Sequence, residues 1–199
     1  MELSYSKKQT LHLPNAELFY DPNFLDKQEA DDHFRRLKSD INWRQDDITV
    51  FGKTYKQPRL TALYGKNGKT YTYSGITMNP EPFNKTLTQF DHKIKNELGH
   101  SFNTVLLNWY RNGNDSNGWH ADNEKELGLN PIIVSISLGE VRPFHFKHRK
   151  LKEERYKLNL DHGSLLLMKG EMQHHWVHQI AKTKKTIGGR INLTFRQIK

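Results

Sequence analysis

Hydrophobic positions recur at helical spacing in two segments of the first half of the chain. The segments are NFLDKQEADDHFRRLKSDI (23–41), with acidic residues early, and PFNKTLTQFDHKIKNELGH (82–100). Apolar residues three or four positions apart form one face of an α-helix. A glycine such as Gly99 suits the position just after a helix. The pattern therefore predicts two amphipathic helices before residue 101.

From residue 102 onward the helical pattern gives way to short runs rich in β-branched and aromatic residues. They are FNTVLLNWY, IIVSISLG, RPFHFKH, RYKLNL, GSLLLMKG, HWVHQI and RINLTFRQI. Runs at intervals of about ten residues are typical of a sandwich or jelly roll. We therefore predict an α+β, mostly β fold. In it, the flanking N-terminal helices pack on an antiparallel double sheet formed by residues 101–199.

The remaining segments predict hairpins and an arm. DITVFGKTYKQPRLTALYG and KTYTYSG, within residues 45–80, combine β-type residues with Gly and Pro turns and predict hairpins. Residues 1–15 are expected to form a flexible arm, as chain termini often do. No repeat, low-complexity tract or linker divides the sequence, so residues 1–199 predict a single domain.

The chain is basic, with 31 Lys and Arg against 22 Asp and Glu and a net charge of +9. This balance favours a polyanionic partner, most simply nucleic acid, over a basic protein without one. The absence of cysteine excludes disulfides, thiolate metal sites and cysteine nucleophiles. No stretch resembles a signal peptide or a membrane span. We therefore expect no membrane partner and a cytoplasmic location, or a nuclear one in a eukaryote.

One histidine is followed two positions later by a carboxylate, in GWHADNEKELG (118–128): His120 and Asp122. With 11 histidines in the chain, about one such pair is expected by chance. Two histidines and one carboxylate are a common ligand set for Fe(II) in oxygen-activating enzymes. The third ligand would come from HHWVHQI, which offers His174, His175 and His178. Strand alternation would place His174 and His178 on one face with Trp176.

Polar residues alternate along the last predicted strand, RINLTFR: Arg190, Asn192, Thr194 and Arg196. An inward-facing strand of this kind would need an anion, because a buried unpaired charge is not tolerated. Asn108 and Tyr110 lie on one face of the strand before His120 and add hydrogen-bonding groups. The pattern suggests a small dicarboxylate near a metal. The alternative is an ordinary half-buried strand whose polar face points outward.

Taken together, Asn-x-Tyr, His-x-Asp, a late histidine and RINLTFR resemble the AlkB family in order and spacing over roughly residues 45–199. These enzymes are Fe(II)- and 2-oxoglutarate-dependent dioxygenases, with a double-stranded β-helix core, that use dioxygen to remove alkyl groups from nucleobases. The resemblance implies His120, Asp122 and His178 as catalytic iron ligands, since His178 precedes Arg190 by the family's twelve residues. It also implies that Arg190 pairs with the distal carboxylate of 2-oxoglutarate. The rest of that pocket would be lined by Asn108, Tyr110, Asn192, Thr194 and Arg196.

The resemblance extends to substrate-binding residues, with residues 45–80 as a nucleotide-recognition hairpin lid. VFGK (50–53) corresponds to a hairpin whose aromatic residue enters the base stack, which implies Phe51 with Gly52 and Lys53. The other implied contacts to the flipped base are Tyr71, Thr72 and Tyr73 in TYTYSG, and Asn123 and Glu124 after the iron pair. Asn123 replaces an acid common in the family. The alternatives are a Phe51 packed in the core and a surface hairpin with aromatic pairs.

These observations predict oxidative demethylation of N-alkylated bases in DNA, such as 1-methyladenine and 3-methylcytosine, by a monomer. PRLTALYG is closer to family members that prefer single strands or RNA, so RNA demethylation is the first alternative. A non-enzymatic nucleic-acid-binding protein and a metal-dependent hydrolase or isomerase are others. The basic segment KHRKLKEERYK (147–157) would follow phosphates or form a solvated hairpin.

Overall fold

The computed structural model describes residues 1–50, 52–73 and 76–199, and the side chains of residues 50, 71–73 and 76 lie outside that description. The three helices described are α1 Lys27–Asp40, α2 Lys85–Leu98 and α3 Met172–His175. The strands are β1 Glu2–Leu3, β2 Gln9–Leu13, β3 Ala16–Asp21, β4 Asp47–Val50, β5 Lys53–Lys56, β6 Leu60–Gly65, β7 Tyr71–Tyr73, β8 Ile76–Met78, β9 Glu81–Pro82, β10 Thr104–Tyr110, β11 Asn117–His120, β12 Ile133–Gly139, β13 Arg142–His148, β14 Arg155–Leu160, β15 Ser164–Lys169, β16 Trp176–Ile180 and β17 Arg190–Arg196.

Two sheets form the centre of the fold. The larger has the order β2-β3-β15-β12-β17-β10-β6-β9, and the smaller has the order β1-β14-β13-β16-β11. From β10 to β17 the chain passes back and forth between them, which confirms the jelly-roll prediction. Between the sheets lies an apolar core that includes Phe144, Phe146 and Trp176. Two hairpins, β4–β5 and β7–β8, form separate two-stranded sheets.

The strand β17 is buried along its whole length because it lies between β12 and β10 inside the larger sheet. Its residues Ile191, Leu193 and Phe195 pack in a second core shared with residues of α1 and α2. The alternate residues face a cavity between the sheets: Arg190, Asn192, Thr194 and Arg196. The predicted inward-facing polar strand is therefore confirmed, and the alternative of an outward polar face is wrong.

Both predicted amphipathic helices are present, and each is shorter than its predicted segment. The side chain of Asp26 accepts a hydrogen bond from the backbone N–H of Glu29 at the start of α1, and Asn84 does the same for Leu87 in α2. Gly99 ends α2 with φ of +71°, and its N–H donates to the carbonyl of Lys95. Among the described residues, no helix is long and apolar enough to cross a membrane.

Three predictions about secondary structure are corrected. Residues 1–15 are not a free arm, because β1 pairs with β14 and β2 pairs with β3, and side chains such as Leu11 and Leu13 pack against the core. PRLTALYG is not part of a hairpin, since β6 joins the larger sheet beside β10. One helical turn, α3, interrupts the all-strand second half, and a 3₁₀ turn follows at Lys125–Leu127.

Gly139 lies where β12 ends beside the start of β17. It has φ of +88°, and a β-carbon there would collide with the carbonyl oxygen of Gly189 and the ring of Phe34. We expect Gly139→Ala to lower the free energy of unfolding by at least about 2 kcal/mol, since both the backbone and the packing oppose it. Urea unfolding would measure this, with Gly118→Ala as the control because its β-carbon would meet open space. Equal midpoints for the two variants would contradict the prediction.

Candidate metal and co-substrate site

The structure brings His120, Asp122 and His178 together. One potential ligand atom from each residue lies within 4.8 Å of the others, and this is the one such cluster found among the described residues. Antiparallel pairing of β11 with β16 places His120 opposite His178. His174 and His175 belong to α3 rather than to a strand, so the prediction that alternation would govern them is wrong. Trp176 and His178 do share a buried face of β16.

Local hydrogen bonds orient the ring of His120. Its Nδ1 lies 2.7 Å from the carbonyl oxygen of Gly118, so we assign the proton to Nδ1. Nε2 then accepts a hydrogen bond through its lone pair from the side-chain amide of Asn117 at 3.2 Å. The same atom lies 3.9 Å from Oδ1 of Asp122. A metal would take over this lone pair. A partner for the second ring nitrogen is the usual arrangement for a metal-binding histidine.

The carboxylate of Asp122 is buried and held from two directions. Its Oδ2 accepts from Nη2 of Arg196 at 2.8 Å, and its backbone N–H donates to Oε1 of Gln173 at 2.9 Å. Its Oδ1 has no hydrogen-bond partner among the described residues. The side chain therefore offers one oxygen atom toward the two histidines.

The protonation states of this cluster suit a divalent metal. Burial raises the pKa of Asp122, but the charges of Arg196, His120 and His178 lower it by more, so the pKa is about 2. Burial, followed by the neighbouring His120, lowers the pKa of His178 to about 3, and burial also lowers the pKa of His120. At neutral pH the cluster is thus one carboxylate and two neutral imidazoles, which are the forms that bind a metal. These residues fit Fe(II), whose common ligand set in oxygenases is two histidines and a carboxylate.

The same pKa shifts predict how metal-free stability depends on pH. The pKa of His178 is about 3 in the folded chain against 6.5 for a free side chain, so between these values only the unfolded chain binds the extra proton. The free energy of unfolding should therefore fall as pH falls below about 6.5. Asp122 adds a loss only below its free value of 3.8. Urea midpoints at pH 7 and pH 5 should differ more in wild type than in His178→Gln; equal differences would contradict this.

A cavity between the sheets joins this cluster to the polar face of β17. Besides the three clustered residues, all six residues predicted for the co-substrate pocket line it: Asn108, Tyr110, Arg190, Asn192, Thr194 and Arg196. Two of these stiffen the wall. Asn192 donates to Oγ of Ser135 at 2.8 Å, and Thr194 donates to Oδ1 of Asn192 at 3.0 Å.

Arg190 is the strongest indication of an anion site. It is 1% exposed, its Nη2 donates to Oγ of Ser137 at 2.9 Å, and its guanidinium carbon lies 5.3 Å from the ring centroid of Tyr110. Its Nε and Nη1 have no hydrogen-bond partner among the described residues. Burial lowers the pKa of Arg190 to about 10, which still leaves it charged at neutral pH. A buried cation with two donor nitrogens lacking partners is costly without an anion.

Two functional candidates escaped the sequence analysis. Arg59 is buried on the segment before β6, and its Nε donates to Oδ1 of Asn108 at 2.7 Å. Gln173 is buried in α3, beside Asp122. The only signal for Arg59 was an arginine within a β-type run, and no periodic pattern marks a single helical turn such as α3.

Half of the residues predicted to contact the base have side chains outside the described part of the structure. Phe51 is outside the described residues, and so are the side chains of Tyr71, Thr72 and Tyr73, whose backbone forms β7. Gly52 and the exposed Lys53 belong to the β4–β5 hairpin. Asn123 is exposed and Glu124 is half-buried, in the segment between Asp122 and the 3₁₀ turn. Neither is among the residues that line the cavity.

Sequence comparison relates this chain to proteins of known family. Residues 17–196 match the family model of the 2OG-Fe(II) oxygenase superfamily. Alpha-ketoglutarate-dependent dioxygenase alkB homolog 3 of Bos taurus is 44% identical over 89% of this chain and 64% of its own length, and the Homo sapiens protein is 42% identical over the same shares. DNA oxidative demethylase ALKBH2 of Mus musculus is 38% identical over 86% of this chain and 76% of its own length. The chain thus spans somewhat less than two thirds of the alkB homolog 3 relatives.

Solved structures share the fold. OsALKBH1 superposes with a TM-score of 0.66 at 21% identity, over 95% of this chain and 100% of that one. A prolyl hydroxylase from Trichoplax adhaerens gives 0.61 at 11% identity, over 91% and 83%. Because its sequence matches the superfamily model over nearly its whole length and its relatives are AlkB homologues, the chain belongs to the 2OG-Fe(II) oxygenase superfamily and, within it, to the AlkB family, whose reaction uses Fe(II), 2-oxoglutarate and dioxygen.

Proposed function

We propose that this chain oxidatively demethylates N-alkylated bases in DNA, such as 1-methyladenine and 3-methylcytosine. The observation that carries the proposal is one cavity containing both the His120–Asp122–His178 cluster and the buried cation of Arg190, two of whose nitrogens lack a partner among the described residues. A nucleic-acid-binding module needs neither feature, and a metal-dependent hydrolase needs no buried anion site beside its metal. Relatives named DNA oxidative demethylase support DNA as the substrate.

In this proposal His120, Asp122 and His178 hold Fe(II), which, when bound with 2-oxoglutarate and dioxygen, supplies the oxidising power to hydroxylate the N-alkyl carbon. The protein's contribution is placement. Arg190 binds the distal carboxylate of 2-oxoglutarate through N–H groups of its guanidinium that have no partner among the described residues, because arginine is well suited to hydrogen-bond a carboxylate. The hydroxylated alkyl group then leaves as an aldehyde, and the base is restored.

The other lining residues have supporting roles. Arg196 forms an ion pair with Asp122, and its side chain also lines the cavity that would hold the co-substrate. Tyr110 lies against the guanidinium of Arg190, and Arg59 anchors the amide of Asn108. Asn192 and Thr194 are hydrogen-bonded to each other. This contact keeps the cavity wall rigid and preserves the spacing between the metal and the anion site.

On the substrate side, chemistry on a base requires taking the base out of the stack. We assign the insertion into the stack to Phe51, supported by Gly52 and Lys53. The flipped base would be enclosed by Tyr71, Thr72, Tyr73, Asn123 and Glu124. A base such as 1-methyladenine carries a positive charge, which aromatic faces and the carboxylate of Glu124 would stabilise.

A basic surface next to the cavity suits the phosphate backbone. Trp119, the residue before His120, is 44% exposed, and the Nζ of Lys147 lies 4.3 Å from the centroid of its ring. Lys147 begins the basic segment 147–157, so the start of this segment lies beside Trp119, and we assign the segment to phosphate contacts. One site handles one flipped base, so we propose a single-domain monomer acting in the cytoplasm, or in the nucleus of a eukaryote.

The test is anaerobic loading with Fe(II), followed by oxygen and 2-oxoglutarate with oligonucleotides that contain 1-methyladenine. Mass spectrometry should record the loss of one methylene from duplex or single-stranded DNA. Loss from RNA alone would replace DNA with RNA as the substrate, and PRLTALYG is the segment that favours that outcome. Succinate formation without demethylation of any oligonucleotide would retain the oxygenase and reject these substrates. If neither product forms, the enzyme proposal fails.

A further inference from the structure

We propose that Gln173 is a positioning residue that holds Asp122 in the orientation needed to bind the metal, an inference that rests on the Fe(II) site proposed above. Gln173 touches neither the histidines nor the anion site in any described hydrogen bond. It acts through the backbone of Asp122, whose N–H it accepts at 2.9 Å. Its place in α3 means that one side chain links the loop carrying Asp122 to the segment that leads into His178 on β16.

The hydrogen bonds of Asp122 account for all but one of its polar side-chain and N–H atoms. Gln173 accepts from the backbone N–H, and Arg196 donates to Oδ2. Oδ1 alone has no hydrogen-bond partner among the described residues, and it faces Nε2 of His120 at 3.9 Å. With the backbone and one oxygen fixed, rotation of the carboxylate is restricted, and the same oxygen always points at the imidazoles. Removing Gln173 would release the backbone end of this arrangement.

The orientation of the Gln173 amide follows from its two contacts. Its Nε2 lies 3.7 Å from the sulfur of Met168, which also lines the cavity. The reverse orientation would point an NH₂ group at the N–H of Asp122, two donors facing each other, so the oxygen belongs on the Asp122 side. Gln173 is 1% exposed, and thioether sulfur is a weak acceptor. The hydrogen bond to Asp122 is therefore the strong interaction that this buried amide makes.

Gln173→Met removes the oxygen acceptor while keeping the length and bulk of the side chain. The N–H of Asp122 would then be buried without a partner, and the loop would shift to hydrate it. Changing a residue that orients a metal ligand typically weakens metal binding about 10- to 100-fold. We expect an increase of that size in the Kd for Co(II), together with a changed visible absorption spectrum, because the carboxylate would no longer approach the metal in one orientation.

The experiment titrates Co(II) into the metal-free full chain and follows its visible absorption. Gln179→Met is the matched control, because Gln179 is a half-buried residue of β16 next to His178 and should bind Co(II) as wild type does. Gln173→Glu retains an oxygen acceptor and should bind more tightly than Gln173→Met, with a spectrum like that of wild type. Thermal unfolding of the metal-free proteins checks that Gln173→Met is folded; if it is not, the comparison of Gln173→Glu with wild type carries the test.

Wild-type Kd and spectrum in Gln173→Met would overturn the inference while leaving the proposed function intact. So would a Gln173→Glu spectrum that departs from wild type in the same way as that of Gln173→Met. Failure of wild type itself to bind Co(II) would instead reject the metal site and the proposed function with it. The two failures are therefore distinguishable in a single titration series.

Discussion

His178→Ala is expected to abolish metal binding and base demethylation, whereas His174→Ala should leave both close to wild type. His178 is buried opposite His120 on neighbouring strands, and its imidazole is one third of the ligand set. His174 is exposed on α3, only four residues earlier. Loss of a ligand leaves two protein groups on the metal, so its affinity should fall by more than the roughly 100-fold upper range for changes in supporting residues.

Comparing His178→Ala with His174→Ala is a stringent test, because the two substitutions are chemically identical and lie in one short segment. Metal affinity would be measured by Co(II) titration, and demethylation by single-turnover mass spectrometry. A His174→Ala variant that loses activity while His178→Ala retains it would move the third ligand into α3. Equal losses in both variants, with lowered thermal stability, would indicate damage to the segment rather than to a metal site.

The polar face of β17 was the feature best predicted from the sequence alone. Arg190 and Arg196 are six positions apart, and strict alternation places them on one side of any strand. Whether that side faces inward could not be settled from periodicity, since polar faces of antiparallel strands usually meet water. The answer depends on the position of the strand inside a sheet that is covered by α1 and α2 on one face and by the smaller sheet on the other.

The choice of His178 illustrates a different limit. Alternation grouped His174 with His178, and it was the resemblance to the AlkB family, through the spacing to Arg190, that separated them. The structure shows why alternation failed: α3 changes the backbone geometry immediately before β16. A single helical turn has too few residues to leave a periodic trace. Gln173 lies in the same turn, so its contact with Asp122 could not be predicted either.

The ordered N-terminus could not be predicted because strand pairing is non-local. Residues 9–13 carry two leucines at alternate positions, a signal too short to distinguish a strand from a frayed end. Their pairing partner, β3, is itself held by β15, almost 150 residues further along the chain. Such contacts are decided by which edges the folded sheets leave open.

Arg190→Met is expected to weaken 2-oxoglutarate binding strongly without destabilising the metal-free protein. Loss of one partner from a buried, hydrogen-bonded charge pair typically costs about 2–5 kcal/mol, which is about 30-fold or more in Kd. The free protein should not suffer in the same way, since it buries the guanidinium with two of its nitrogens, Nε and Nη1, unpartnered among the described residues. Replacing a poorly compensated buried charge by an apolar side chain is often neutral or stabilising.

This combination of effects distinguishes an anion site from a structural arginine. Calorimetric titration of 2-oxoglutarate in the presence of Mn(II) would give the Kd, and urea unfolding without ligands would give the stability. Arg36→Met is the control, because Arg36 is exposed on α1 and its loss should alter neither quantity. If Arg190→Met destabilises the free protein while binding 2-oxoglutarate with the wild-type Kd, Arg190 is a packing residue. Weaker binding at unchanged or higher stability means that the chain maintains a buried, incompletely neutralised cation for its co-substrate.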